Sequence, residues 1–199
     1  GNDRLEGGEG DDTYYWNLGD GVDTITDSKN NDAICFGEGI NFDNLIFRSE
    51  GVDLRILVNG DDNQGLLIKK FLQSDNNYKI EELYFADGSN VHLSEIGLTM
   101  HQKKTNNYYD YGTEFDDVIY GDDADEYIMA RGGDDIIQAG KGDDTIDGGD
   151  GNNIYIYNLS DGLDKIIDDT GTAVVRFGEG ITFDDVLLVP AYSKVIPNQ

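Results

Sequence analysis

Apolar residues recur at steps of nine along one stretch of this chain: Ile119, Ile128, Ile137, Ile146 and Tyr155. Two positions before each stands a polar residue: Asp117, Glu126, Asp135, Asp144 and Asn153. Four before each stand Phe115, Ala124, Gly133, Gly142 and Gly151. The underlying pattern, G-G-x-G-x-D-x-U-x with U apolar, is best formed from Gly132 to Ile156 and decays upstream. The first residues carry it too, with Asp3 before Leu5 and Asp12 before Tyr14. Each repeat leaves only three residues, x-U-x, for extended structure. That is a minimal strand, with its middle side chain pointing one way and its neighbours the other. The glycines permit the positive φ that a sharp turn needs. Turn plus strand, repeated, predicts a flat solenoid with two nonapeptides per coil and the U residues meeting between two facing sheets. Stacked coils would lie about 4.8 Å apart, the ordinary strand spacing.

A longer repeat encloses the short one. The segment "YYWNLGDGVDTITD…FGEGINFDNL", residues 14–45, reappears as "YIYNLSDGLDKIID…FGEGITFDDV", residues 155–186. Phe36 and Phe177 are 141 residues apart, so the chain holds one unit and the start of another. It opens and closes inside motifs, and reads as a segment of a longer tandem protein. Between the arrays lie short strand-like runs, "AICF", "NLIFR", "DLRILV", "LLIKKF" and "IEELYFADGSNVHL", with Asp87-Gly88 as a hairpin signal. Helix evidence is confined to residues 94–98, and residues 99–111 read as polar linker. The expected fold is all-β: a parallel β-roll, that is, a β-solenoid of nonapeptide repeats, with an intervening small antiparallel β unit packed on it. The expected organisation is the end of one array at 1–27, a β-rich unit with linker at 28–106, a second array at 107–170, and the truncated start of a second β-rich unit at 171–199.

Charge changes the picture. Fourteen Lys+Arg against 41 Asp+Glu give a net charge of −27. Such a field repels nucleic acid and attracts cations. High charge is also the signature of disorder, but twelve tyrosines and eight phenylalanines in patterned runs argue for a core. The single Cys35 excludes an internal disulfide framework. No apolar run reaches transmembrane length and no signal peptide opens the chain. Stacking would bring the sixth-position acids of successive coils together, and two carboxylates about 5 Å apart repel by roughly 3 kcal/mol at an effective dielectric of 20. A Ca²⁺ between them reverses that sign, because it takes six to eight oxygens and both carboxylates and turn carbonyls qualify. With a Kd of about 0.1 mM, millimolar Ca²⁺ adds roughly 1.4 kcal/mol per site, and submicromolar Ca²⁺ almost nothing.

The glycine-aspartate arrays resemble the RTX, or haemolysin-type calcium-binding repeat, proteins of Gram-negative bacteria. The stretches "GDGVDTITD", "FGEGI", "DLRILV" and "IEELYFADG" are similar to the haemolysin-type calcium-binding-related domain of Frp-type exoproteins. The resemblance implies several bound Ca²⁺ ions, with ligands from sixth-position acids one coil apart and from turn carbonyls. On this sequence those are Asp3, Asp12, Asp117, Asp135 and Asp144, with the turns of Gly133, Gly142 and Gly151. Asp23 and Asp164 follow a two-residue insertion and are expected to coordinate less regularly. Phe115 and Ala124 replace the fourth-position glycine, and Glu126 and Asn153 the aspartate, so sites there are expected to be weakened. The fifth-position acids Asp116, Asp134 and Asp143 read as solvated surface charge. The resemblance further implies type I secretion, folding in external calcium, a secreted or cell-surface location, and a parent of the toxin, virulence or adhesin class. The second reading is an adhesive module that uses calcium as scaffold, with a host-surface protein or glycan as partner.

Other chemistry finds no support. "GKGDDT" lacks the spacing and the Lys-Ser/Thr end of a phosphate loop, and its acids would repel phosphate. His92 and His101 lack zinc or triad partners. With no nucleophile beside an oriented base, the chain is expected not to be an enzyme.

Overall fold

The computed structural model describes residues 1–73, 79–102, 109–168, 170–179 and 181. Residues 103–108 of the expected linker and most of the expected second β-rich unit lie outside the described residues. Among the described residues no helix is long and apolar enough to cross a membrane.

The chain forms a parallel β-solenoid of about eight turns. The first array supplies β1 (Arg4–Glu6), β2 (Thr13–Trp16), β3 (Val22–Thr26) and β4 (Ala33–Phe36). An insertion follows: β5 (Leu45–Glu50), β6 (Asp53–Val58) and β7 (Asp61–Ile68), then the hairpin β8 (Glu82–Tyr84) and β9 (Asn90–His92), then β10 (Thr99–His101). The second array contributes β11 (Asp110–Tyr111), β12 (Val118–Tyr120), β13 (Tyr127–Met129), β14 (Ile136–Gln138), β15 (Thr145–Asp147), β16 (Ile154–Tyr157), β17 (Lys165–Ile167) and β18 (Val174–Phe177). One face of the roll is a single ten-stranded sheet, ordered β1-β3-β7-β6-β5-β10-β12-β14-β16-β18. The other face is two four-stranded sheets, β2-β4-β8-β9 and β11-β13-β15-β17.

Register confirms two nonapeptides per coil. Val118 pairs with Ile136 and Tyr127 with Thr145, each parallel and eighteen positions on. Where two residues are inserted the step becomes twenty, as in Arg4 with Thr24 and Thr145 with Lys165. In β14 only the middle residue is buried, as a minimal strand requires. The second-array core is a column of Ile119, Ile128, Ile137 and Ile146 with Ala130, Ala139 and Tyr155. The first array and insertion share a larger core that includes Trp16, Ile34, Phe36, Phe71 and Leu72.

The antiparallel unit is not laid on the roll, as the sequence suggests, but spliced into it. β7 runs parallel to β3, β6 antiparallel to both β7 and β5, and β5 parallel to β10. Two antiparallel steps cancel, so the second array continues in the direction of the first. The Asp87-Gly88 turn closes the β8–β9 hairpin, where Asp87 Oδ1 accepts from the Ser89 N–H at 2.9 Å. Among the described residues helix is limited to two 3₁₀ turns, Phe42–Asn44 and Leu93–Glu95. Parts of the expected linker are strand: Met100 of β10 is fully buried between Phe47 and Ile119, so one inward apolar residue recruits a polar run to the sheet.

The long repeat changes face. β2 and β4 lie in a four-stranded sheet, whereas their counterparts β16 and β18, 141 residues later, lie in the ten-stranded one. β3 and its counterpart β17 exchange faces the other way. The unit therefore advances the roll by an odd number of half-coils.

Candidate metal centre

Each minimal strand is preceded by its sixth-position residue at the rim of the roll, and stacking aligns these residues into two columns in the second array. One column holds Asp117, Asp135 and Asn153; the other holds Glu126, Asp144 and Asp164. Successive members are linked by one repeated hydrogen bond, in which the peptide N–H of one residue donates to the side chain of the next coil. Asp117 N donates to Asp135 Oδ1 at 2.8 Å, Asp135 N to Asn153 Oδ1 at 3.0 Å, Glu126 N to Asp144 Oδ1 at 2.8 Å and Asp144 N to Asp164 Oδ1 at 3.1 Å. In the first array Asp3 N donates to Asp23 Oδ1 at 2.8 Å and Asp12 N to Asp32 Oδ1 at 2.9 Å. One carboxylate oxygen is thus committed to holding coil to coil.

The other oxygen decides what the rim can bind. Among the described residues, Oδ2 of Asp12, Asp32, Asp135 and Asp144 is in each case buried without a hydrogen-bond partner. A buried acceptor left unpaired costs about 1–3 kcal/mol, and more when charged. Burial accordingly pushes up Asp32, Glu126, Asp135 and Asp144. Asp135 is raised to about 8, with Asp117, Asp116 and Asp134 adding like charge. Glu126 is raised to about 9, with Asp122 next in effect, and Asp32, Asp144 and Asp164 to about 6. Buried, undonated carboxylate oxygens in stacked pairs are the ligand chemistry of a hard divalent cation, which repays both the desolvation and the repulsion.

The sequence-selected residues differ in readiness. Asp12, Asp135 and Asp144 each keep an undonated oxygen. Asp117 does not: Oδ1 accepts from Leu98 N at 2.6 Å and Oδ2 from Thr113 N at 2.5 Å, with the Thr113 hydroxyl at 3.0 Å from both. Asp23 is buried, whereas Asp3 is exposed. Gly133, Gly142 and Gly151 all have positive φ. At Gly151 the requirement is also steric, because a Cβ would strike the carbonyl of Gly133 one coil away. The fifth-position acids are exposed as expected, yet they form an outer ladder of their own. Asp116 Oδ1 accepts from Asp134 N at 2.7 Å, and Asp134 Oδ1 from Asn152 N at 2.8 Å.

Three acids escape the nonapeptide pattern. Asp32 lies twenty residues after Asp12, the coil step, but in "SKNND", where no glycine marks a turn. Glu81 extends the same column into the insertion, its Oε2 accepting from Asp32 N at 2.8 Å across 49 positions. Asp27 joins Asp12 and Asp32 in a group whose ligand atoms lie within 4.8 Å of one another. The twenty-residue step could have found Asp32; nothing in the sequence marks Glu81 or Asp27.

A family model for the RTX calcium-binding nonapeptide repeat, in four copies, matches residues 1–20, 111–137 and 129–159. No curated protein matches the chain.

Proposed function

We propose that this chain, an RTX-type calcium-binding repeat protein, binds several Ca²⁺ ions between its stacked turns and depends on them to complete its fold. The observation that carries the reading is the set of buried carboxylate oxygens without donors at Asp12, Asp135 and Asp144. In this reading Asp135 and Asp144 are the principal ligands of the second array, with carbonyls from the turns of Gly133, Gly142 and Gly151. Asp12 serves the first array. Asp3, Asp23 and Asp164 take part at the array ends, and Asp117 joins only if Thr113 yields. The repeats imply a structural calcium-binding domain rather than a catalytic one. The reading extends to a secreted exoprotein of the toxin or adhesin class, exported unfolded through a type I channel and ordered by millimolar calcium outside. Mass action supports that switch, since sites of about 0.1 mM Kd are filled outside a cell and empty at submicromolar calcium. The domain reading at 1–27, 28–106, 107–170 and 171–199 is one of successive functional units, although the coil runs past two of those bounds, where β4 pairs with β2 and β18 with β16.

The test is thermal melting by circular dichroism in 1 mM Ca²⁺ and in EDTA. A much lower melting temperature in EDTA is expected, and identical melting would refute the reading.

A second reading, adhesion with calcium as scaffold, is favoured by Tyr15 and Tyr84. They flank Cys35 in register on the outer face of β2-β4-β8 and are 73% and 42% exposed. A glycan array probed with the calcium-loaded chain tests it, and binding no higher than background would set it aside.

A further inference from the structure

The 141-residue repeat supplies an internal comparison of one rim position in two copies. In the first copy Asp12 precedes β2, Asp27 follows β3 and Asp32 precedes β4. Their counterparts in the second copy are Asn153, Asp168 and Ala173, and Tyr14 corresponds to Tyr155. Both tyrosines occupy core positions and are buried.

The two copies satisfy their acids differently. In the second, Asp168 Oδ2 accepts from the Tyr155 hydroxyl at 2.6 Å and from Asn153 Nδ2 at 3.3 Å. One carboxylate thus meets two neutral donors, and the group is closed. In the first, Asp27 Oδ2 accepts from the Tyr14 hydroxyl at 2.5 Å, and its Oδ1 from Gly8 N at 3.2 Å and Ser28 N at 2.7 Å. The amide is missing, and two further carboxylates stand in its place. Asp32 is fully buried, and its Oδ2, like that of Asp12, has no partner. A Cβ on Gly7 would fall among Tyr14 Oη, Asp12 Oδ2 and Asp27 Oδ2, so glycine there leaves the gap around which these oxygens converge.

We infer that Asp12, Asp27 and Asp32 form a three-carboxylate site for a hard divalent or trivalent cation in the first copy, and that the second copy has replaced this site with a metal-free clasp. The inference rests on the calcium-binding reading above and goes beyond it, because it makes the copies unequal and adds two ligands that no nonapeptide supplies. Three acids pressed within 4.8 Å carry up to three negative charges, and the hydrogen bonds they accept among the described residues come from one phenol and from peptide N–H groups. A cation supplies the missing charge. In the second copy, asparagine and alanine remove two of the three charges, and the Asn153 amide fills the ligand position with a donor. The site also joins the first array to the insertion, since Asp32 N donates to Glu81.

Terbium(III) is a suitable probe, because it takes the same oxygen ligands and is sensitised by a nearby tyrosine. The full chain is titrated with Tb³⁺, and bound ions are counted by native mass spectrometry. Rewriting the first copy as the second, with Asp12→Asn and Asp32→Ala, is expected to remove one ion from the count. It should also abolish the component of tyrosine-sensitised emission that Tyr14→Phe removes. The reciprocal change, Asn153→Asp with Ala173→Asp, is expected to add one ion, and it decides the matter if the first variant does not fold. A wild-type chain that binds ions, with a count unchanged by the rewriting, overturns this inference and leaves the calcium-binding reading intact. A wild-type chain that binds no ion overturns both.

Discussion

Asp135→Asn separates a carboxylate kept for metal from one kept for structure. Asp135 is fully buried, its Oδ1 accepts from Asp117 N at 2.8 Å, and its Oδ2 has no partner. One coil further on the chain already places an asparagine, Asn153, whose Oδ1 accepts the corresponding bond from Asp135 N at 3.0 Å. The amide therefore fits and keeps the inter-coil bond. What it loses is the anionic oxygen. Without metal that loss relieves strain, because burial and the charges of Asp117, Asp116 and Asp134 already push this acid up to about 8. In EDTA at pH 7.5 the variant should melt no lower than wild type. In 1 mM Ca²⁺ a site of about 0.1 mM Kd contributes roughly 1.4 kcal/mol. At about 2–4 °C per kcal/mol for a chain of this size, the calcium-loaded variant should melt about 3–6 °C lower. Calorimetry on both proteins in both buffers gives the four numbers needed. A melting point lowered equally with and without calcium would refute the reasoning, since the carboxylate would then be holding the fold directly.

Gly151→Ala should destabilise by at least about 2 kcal/mol in denaturant titration, since it adds a clash with the Gly133 carbonyl to the strain of a φ of 114°. Gly8→Ala, with φ 99° but open space around the Cβ, should cost only about 1 kcal/mol, so equal losses would contradict the close approach of turns. Acidity should act in opposite directions with and without metal. Asp32, Asp117, Asp144 and Asp164 are raised to about 6 and Asp135 to about 8, so the metal-free fold holds more protons than the unfolded chain. Their contribution to stability is present below about pH 4 and lost as pH rises through 6 to 8. Melting temperature in EDTA should therefore rise from pH 8 to pH 5, and fall over the same range in calcium as protons compete for the ligands.

Much of this molecule is local, and local features are legible in a sequence. An apolar residue at every ninth position with glycines between forces short strands and tight turns, whatever surrounds them. Ile119, Ile128, Ile137 and Ile146 consequently fill the core column that their spacing announces. The Asp87-Gly88 turn and the runs that became β4 to β9 were equally readable, because turn chemistry and β-branched composition act within a few residues. Asp12, Asp135 and Asp144 were identifiable as rim acids by register alone.

What lay beyond reach depends on partners distant in the chain. Asp117 obeys the same pattern as Asp135, yet Thr113 and Leu98 take up both its oxygens, and no spacing rule tells the two apart. Glu81 enters the acid column only because β5 to β7 splice into the sheet and return the chain to the rim. Two copies of one repeat, residues 14–45 and 155–186, begin with strands on opposite faces. Spacing dictates that a coil forms; the number of half-coils wound in between, a property of the whole stack, dictates which way it faces and which carboxylates meet there.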